Sequence, residues 1–206
     1  MLWESKSGRI AFTNPDFSRY WFARVLSVFG TEMLNATVLW QMWKLTKDPF
    51  DLGLVGLAQF APFFVLFLIS GIMADRFQRK RIIAFCSVGM TLVAAGLFTI
   101  TLVDVANRLT ILPLLVIVGI ARAFQAPALN AIVPVLVPKE HFANAISWSA
   151  TATYIARIAG PALMAGLLVL GIDVVYAVTI GFFILSSVLT FLIRTNTQII
   201  SKEPAN

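Results

Sequence analysis

Residues 52–74, 82–103 and 174–193 of this chain run without a single charged side chain. Each is long enough to cross a lipid bilayer, whose hydrocarbon core of about 30 Å takes roughly 20 helical residues. Three further apolar segments, 19–43, 109–134 and 142–170, carry only a few polar interruptions, and the six together occupy nearly all of the 206 residues. Asp, Glu, Lys and Arg make up only 13% of the chain against a hydrophobic fraction of 59%. That leaves too little polar surface for a watery exterior. The pattern predicts an all-α membrane protein of six transmembrane helices.

The net charge of +6 could point to nucleic acid, but its distribution points to topology. When the short segments between helices are assigned alternately to the two sides, one side receives Lys6, Arg9, Arg19, Arg76, Arg79, Lys80, Arg81, Lys139, Arg194 and Lys202. The other receives only Lys44, Lys47 and Arg108. The positive-inside rule then places both termini in the cytoplasm of a multi-pass cell-membrane protein, with no nucleic-acid partner. Residues 1–18 form a polar cytoplasmic segment without the apolar core of a cleavable signal. Residues 19–194 form the bundle, and 195–206 a cytoplasmic tail or the start of a linker between domains. The loops are so short that successive helices are expected to lie side by side, antiparallel.

Cys86, the single cysteine, falls inside the third apolar segment and reads as a small buried thiol; no intrachain disulfide is possible. His141, the single histidine, reads as a solvated loop residue. No cluster of metal-ligand residues, no Ser/His/Asp or Cys/His set and no phosphate-cradling glycine loop is present in the sequence. Neither a metal, a cofactor nor an enzymatic role is expected.

Glycine and proline punctuate the spans. Pro62 should kink the second helix, 126–128 (Ala-Pro-Ala) should interrupt the fourth, and Gly160-Pro161 the fifth. Gly71, Gly89, Gly96 and Gly119 offer places where helices can approach closely.

Four ionisable residues sit well within spans: Arg24, Glu32, Arg122 and Arg157. Each costs about 2.5–3.5 kcal/mol to insert at the bilayer centre on translocon scales, so such residues normally face a cavity or a partner. Arg24, Ser27, Thr31 and Asn35 share one face of the first helix by their spacing, with Glu32 beside them. A cavity wall explains that stripe. Glu32 reads either as a proton-coupling or cation-attracting site or as a static ion pair with Arg24, Arg122 or Arg157. Gln125 accompanies Arg122 in the fourth span; Ser149, Thr153 and Tyr154 accompany Arg157 in the fifth. Three arginines against one glutamate leave two positive charges. These need carbonyls, water, a carboxylate from another polypeptide, or an anionic ligand.

The loop between the second and third helices reads Gly71-Ile-Met-Ala-Asp75-Arg76-Phe-Gln78-Arg79-Lys80-Arg81. It resembles the G-x-x-x-D-R-x-G-R-R/K signature of the major facilitator superfamily, with Gln78 standing at the second glycine. In that family this loop gates the cytoplasmic side, which implies a gate role for Gly71, Asp75, Arg76, Arg79 and Lys80. Arg122-Ala-Phe-Gln125 resembles the fourth-helix motif, whose arginine is associated with proton transfer. Gly160-Pro161 and the residues after it resemble the fifth-helix bend motif of exporters, with Met164 and Ala165 at its last two glycine positions. Leu52 to Pro62 and Pro127 to Pro134 resemble the drug and siderophore exporter branch, which includes macrolide efflux and enterobactin export proteins.

The resemblance implies the N-terminal half of a twelve-helix transporter, built as two inverted three-helix repeats. It implies export of a small amphipathic or lipophilic compound by alternating access, coupled to protons. Arg24, Glu32, Asn35, Arg122, Gln125 and Arg157 would line the substrate or proton pathway. The implied partners are the lipid bilayer, a second six-helix half, the small-molecule substrate and protons. The alternative is a truncated or standalone six-helix module with a regulatory or assembly role and no transport of its own.

Overall fold

The computed structural model describes residues 7–195, leaving out the side chains of 7–9, 68 and 72–76. Six long helices follow one another: α1 (Pro15–Thr46), α2 (Pro49–Arg76), α3 (Arg79–Leu102), α4 (Arg108–Leu136), α5 (Phe142–Leu168) and α6 (Ile172–Phe191). Two short 3-10 turns, Ser7–Thr13 and Lys139–His141, complete the secondary structure, and no strand occurs among the described residues. Helices α2 to α6 each contain a stretch long and apolar enough to cross a membrane. Helix α1 has the length, but Glu32, Asn35 and Gln41 dilute its apolar character.

Local chemistry sets where the helices begin. Asn14 caps α1, accepting the Asp16 amide on its Oδ1 at 2.9 Å, and Pro15 occupies the first turn, where its missing N–H costs nothing. That cap starts α1 four residues ahead of the apolar run. At α4 the Asn107 side chain accepts the Leu109 and Thr110 amides, and the Thr110 hydroxyl accepts the Asn107 amide at 2.9 Å, a reciprocal capping box.

The prolines do not end the helices that hold them. Helix α2 runs through Pro62, α4 through Pro113, Pro127 and Pro134, and α5 through Pro161. The interruptions that the sequence predicts at 126–128 and 160–161 are therefore absent. Packed neighbours tolerate the missing amide donors.

Helix packing is interleaved rather than sequential. Helix α2 lies along α4 and α5 along α1; α3 packs on α4 and α6 on α1; α3 and α6 pack on each other. Exchanging α1 with α4, α2 with α5 and α3 with α6 maps this pattern onto itself, as two related three-helix repeats require. The short loops predict side-by-side neighbours, and α3 with α4 obey. Helix α2, however, barely touches α3, and α5 barely touches α6.

Close contact at small residues explains the preference. A Cβ on Gly119 would stand 2.6 Å from Pro62 Cγ and would also overlap the Gln59 carbonyl. Helices α2 and α4 can meet this closely only over a glycine. In lipid this matters because tails are as apolar as leucine, so dispersion at close range holds helices together. Gly71 and Gly89, by contrast, have no neighbour within 4 Å of such a position, and they bring no described helices together.

The main apolar core joins α1, α3, α4 and α6 through Leu34, Val38, Leu97, Leu115 and Phe183, with Cys86 half-buried against it. A second core gathers Phe17, Tyr20, Ile83, Ile132, Leu136 and Ile193 at the end of the bundle that holds both chain ends. Part of the polar segment 1–18 belongs to this second core. Ala11 is buried, and Phe12 packs edge-on against Phe17, Trp21 and Trp148. Around the perimeter Phe64 is 68% exposed, Phe85 68% and Leu92 67%, a surface suited to lipid rather than water.

Candidate functional site

Helix α1 places its polar stripe where α4 and α5 converge. Arg24 donates from Nη1 to the Tyr20 hydroxyl at 2.7 Å and from Nε to Thr153 Oγ1 of α5 at 3.3 Å. Tyr20 in turn donates to the Leu129 carbonyl at 3.0 Å. One turn deeper, buried Gln125 of α4 donates to Ser27 Oγ at 3.3 Å and to Ser87 Oγ at 3.2 Å. A single amide thus ties α1, α3 and α4 together.

Glu32 comes next along the stripe and faces Arg157 of α5, with Oε1 and Nε 3.8 Å apart. Gly160 makes this possible, since a Cβ there would lie only 2.8 Å from Glu32 Cβ. Of the partners the sequence leaves open for Glu32, the structure gives Arg157. Arg122 is within electrostatic reach of both. Its Nη1 makes a hydrogen bond to Gln59 Oε1 of α2 at 3.4 Å.

Two adjoining cavities share Arg122 and Phe63. One, of about 270 Å³, lies between α1, α4 and α5 and is lined by Thr31, Glu32, Gln125, Thr153 and Arg157 among others. The second, of about 380 Å³, lies between α1, α2 and α4, where Asn35 and Gln59 are set among Leu39, Leu52, Val55 and Phe60. Four of the six predicted pathway residues (Glu32, Arg122, Gln125 and Arg157) therefore meet at one cavity, and Asn35 faces the other. Arg24 stands beside the first cavity, held by Tyr20 and Thr153. Gln59 and Phe63 stand outside the residues that the sequence predicts for the pathway. A lone glutamine in a span without charges was the available signal for Gln59.

The predicted gate lies near the Arg24 end of the stripe, where Tyr20 bonds the Leu129 carbonyl and Arg79 the Ala131 carbonyl. The side chains of Asp75 and Arg76 are outside the described residues, and Gly71 ends the described part of that turn of α2. Arg79 is buried and donates from Nη1 to the Ala131 carbonyl at 2.7 Å, while Lys80 donates to the Ile193 carbonyl at 3.0 Å. Asp16 completes this end, accepting the Arg194 and Thr195 amides and the Thr195 hydroxyl on Oδ2, and Arg19 on Oδ1. His141 closes the Lys139–His141 turn, half-buried. Among the described residues, no three His, Cys, Asp or Glu side chains are grouped as metal ligands.

What this site offers chemically is charge and hydrogen bonding set in an apolar wall. The sequence matches the family model described as transmembrane secretion effector over residues 7–204. The chain belongs to this family of major facilitator transporters. Members move solutes rather than catalyse reactions, and the chain is accordingly a multi-pass membrane protein.

Curated relatives of the chain include macrolide efflux protein A of Streptococcus pyogenes, 26% identical over 152 residues (72% of this chain, 37% of that protein). The MFS-type transporter YkuC of Bacillus subtilis is 33% identical over 139 residues (65% of this chain, 31% of that protein). The enterobactin exporter EntS of Citrobacter koseri is 26% identical over 163 residues (77% of this chain, 38% of that protein). The chain thus spans about a third of the length of the relatives it matches.

Proposed function

We propose that this chain forms the N-terminal six-helix half of a secondary active transporter, a proton-coupled exporter of a small amphipathic or lipophilic compound. The observation that carries the reading is the Glu32–Arg157 pair at 3.8 Å, set in a cavity with Arg122. A carboxylate inside a span is costly and normally functional. Its guanidinium partner faces the same cavity, so a solute entering there meets both members of the pair. Helix α1 serves as the sixth span, its polar stripe turned to the cavity. The two repeats rock as a body against a second six-helix half, and Asp75, Arg76 and Arg79 close the cytoplasmic side. Efflux proteins among the relatives support the direction of transport. The excess of Lys and Arg on one side supports cytoplasmic termini.

The test is Glu32→Gln in the complete protein, reconstituted in vesicles with an imposed pH gradient. Solute flux that follows the gradient is expected to disappear, while downhill exchange persists. Unchanged gradient-driven flux would remove Glu32 from the mechanism. The reading of this chain as a rocking half is checked separately by crosslinking a cysteine placed near Gln78 to the facing half. Trapping there should stop transport.

A further inference from the structure

We propose that the paired cavities bind an amphipathic anion, with a carboxylate held by Arg122 and Arg157 and an apolar body lying against Phe63 and Phe60. The inference deepens the exporter reading and rests on it for access to the cavity, but binding itself can be measured without transport.

Charge and reach carry the argument. Three arginines, Arg24, Arg122 and Arg157, lie within the spans against one carboxylate there, Glu32, an excess of two positive charges. Arg24 does not offer itself to a ligand, because Tyr20 and Thr153 hold its guanidinium between helices. One of the excess charges stays with Arg24, and the other rests on Arg122 and Arg157 against Glu32. Arg122 has a neutral partner, the Gln59 carbonyl oxygen at 3.4 Å. Arg157 meets Glu32 through Nε at 3.8 Å, well beyond the roughly 2.7–2.9 Å of a charge-assisted bond. With its side chain 59% exposed, the outer fork of Arg157 is open.

A guanidinium fork matches the planar geometry of a carboxylate, and two forks can share one. A cation is disfavoured at the same place, since it would add to the excess. The cavity beyond Arg122 supplies the other end of the ligand. Its volume of about 380 Å³ is lined by Leu39, Leu52, Val55, Phe60 and Phe63, wide enough for an aromatic ring system. Glu32 then acts as a competitor for Arg157 and weakens anion binding while it is charged.

The experiment measures equilibrium binding of 2-naphthoate and of its neutral isostere 2-naphthamide to the complete protein in nanodiscs, with empty nanodiscs subtracted. Naphthoate is expected to bind at least tenfold tighter. Arg122→Gln and Arg157→Gln should each abolish that preference. Glu32→Gln, nearly isosteric, should tighten naphthoate severalfold and leave naphthamide unchanged, so the proposal stays testable if an arginine variant does not fold. Equal binding of the two probes, or weaker naphthoate binding in Glu32→Gln, overturns it; a carboxylate from the facing half seated on these arginines would give that result. Loss of the anion preference with proton coupling intact sinks this inference alone. The preference retained without proton coupling sinks the exporter reading alone.

Discussion

Gly160 of α5 rests directly on the Cβ of Glu32 in α1, so the distance between the cavity's carboxylate and Arg157 is set by a missing side chain. Alanine at 160 must push α5 away from α1, because its methyl would lie 2.8 Å from that Cβ. Gly160→Ala should therefore lower thermal stability by about 1–3 kcal/mol, the usual cost of overpacking. Gly160→Val should cost more and should lower solute flux in proportion. Unfolding in detergent, followed by labelling of the single thiol at Cys86, reads the first effect directly.

Gln125→Leu removes both bonds that join α4 to Ser27 and Ser87. Interhelical hydrogen bonds in membranes are worth about 0.6 kcal/mol on average, so the expected loss is about 1 kcal/mol. Gln125→Glu lacks the Nε2 donor and buries a carboxylate, so it should cost at least as much, and more at high pH than at low. A double-mutant cycle with Ser87→Ala checks the pairing, and additive losses would dismiss it.

Asp16 makes stability depend on pH at the bundle's end. Burial would raise its pKa, but hydrogen bonds from Thr195, Arg194 and Arg19 outweigh burial and hold it at about 2 rather than 3.8. The folded state thus prefers the charged form. Its contribution is complete above about pH 4 and is lost as pH falls through about 2, amounting to about 2 kcal/mol. Fluorescence-monitored unfolding between pH 5 and 2 should show that loss in the parent protein and a flatter profile in Asp16→Asn.

At the opposite end Asp51, buried in the first turn of α2, accepts from Arg108 of α4 at 3.1 Å. The arginine is half exposed, so water and salt screen the pair. Arg108→Gln should cost under about 1 kcal/mol, and the cost should shrink in molar salt. A salt-independent loss would assign the effect to packing.

The all-α membrane class was legible because bilayer thickness imposes a length on apolar runs that no soluble fold shares. Helix partners were less so. Nothing in residues 49–76 announces that α2 leans on α4 rather than α3, since that depends on Gly119 fitting against Pro62 across some sixty positions. The same gap hid Gln59, whose bond to Arg122 exists only once α2 and α4 meet. The stripe on α1 could be read from helical spacing, and its gathering with Arg122 and Arg157 needed the packed bundle. The polar character of residues 7–13 likewise concealed that Ala11 and Phe12 join the core, because three consecutive apolar side chains among polar ones carry no periodic signal.

The interleaved packing has a consequence for the order of synthesis. Helix α1 precedes α2 to α4 in the chain, yet its principal neighbours, α5 and α6, follow them. Until they arrive, Arg24 and Glu32 have no finished cavity to face, and α2 is in the same position until α4 emerges. Neither three-helix unit can complete its own interior, so the nascent chain carries its most polar helix as an unfinished contact until α5 and α6 emerge. Consolidation of this bundle is therefore late, because α1 gains its packing against α6 only when that helix emerges.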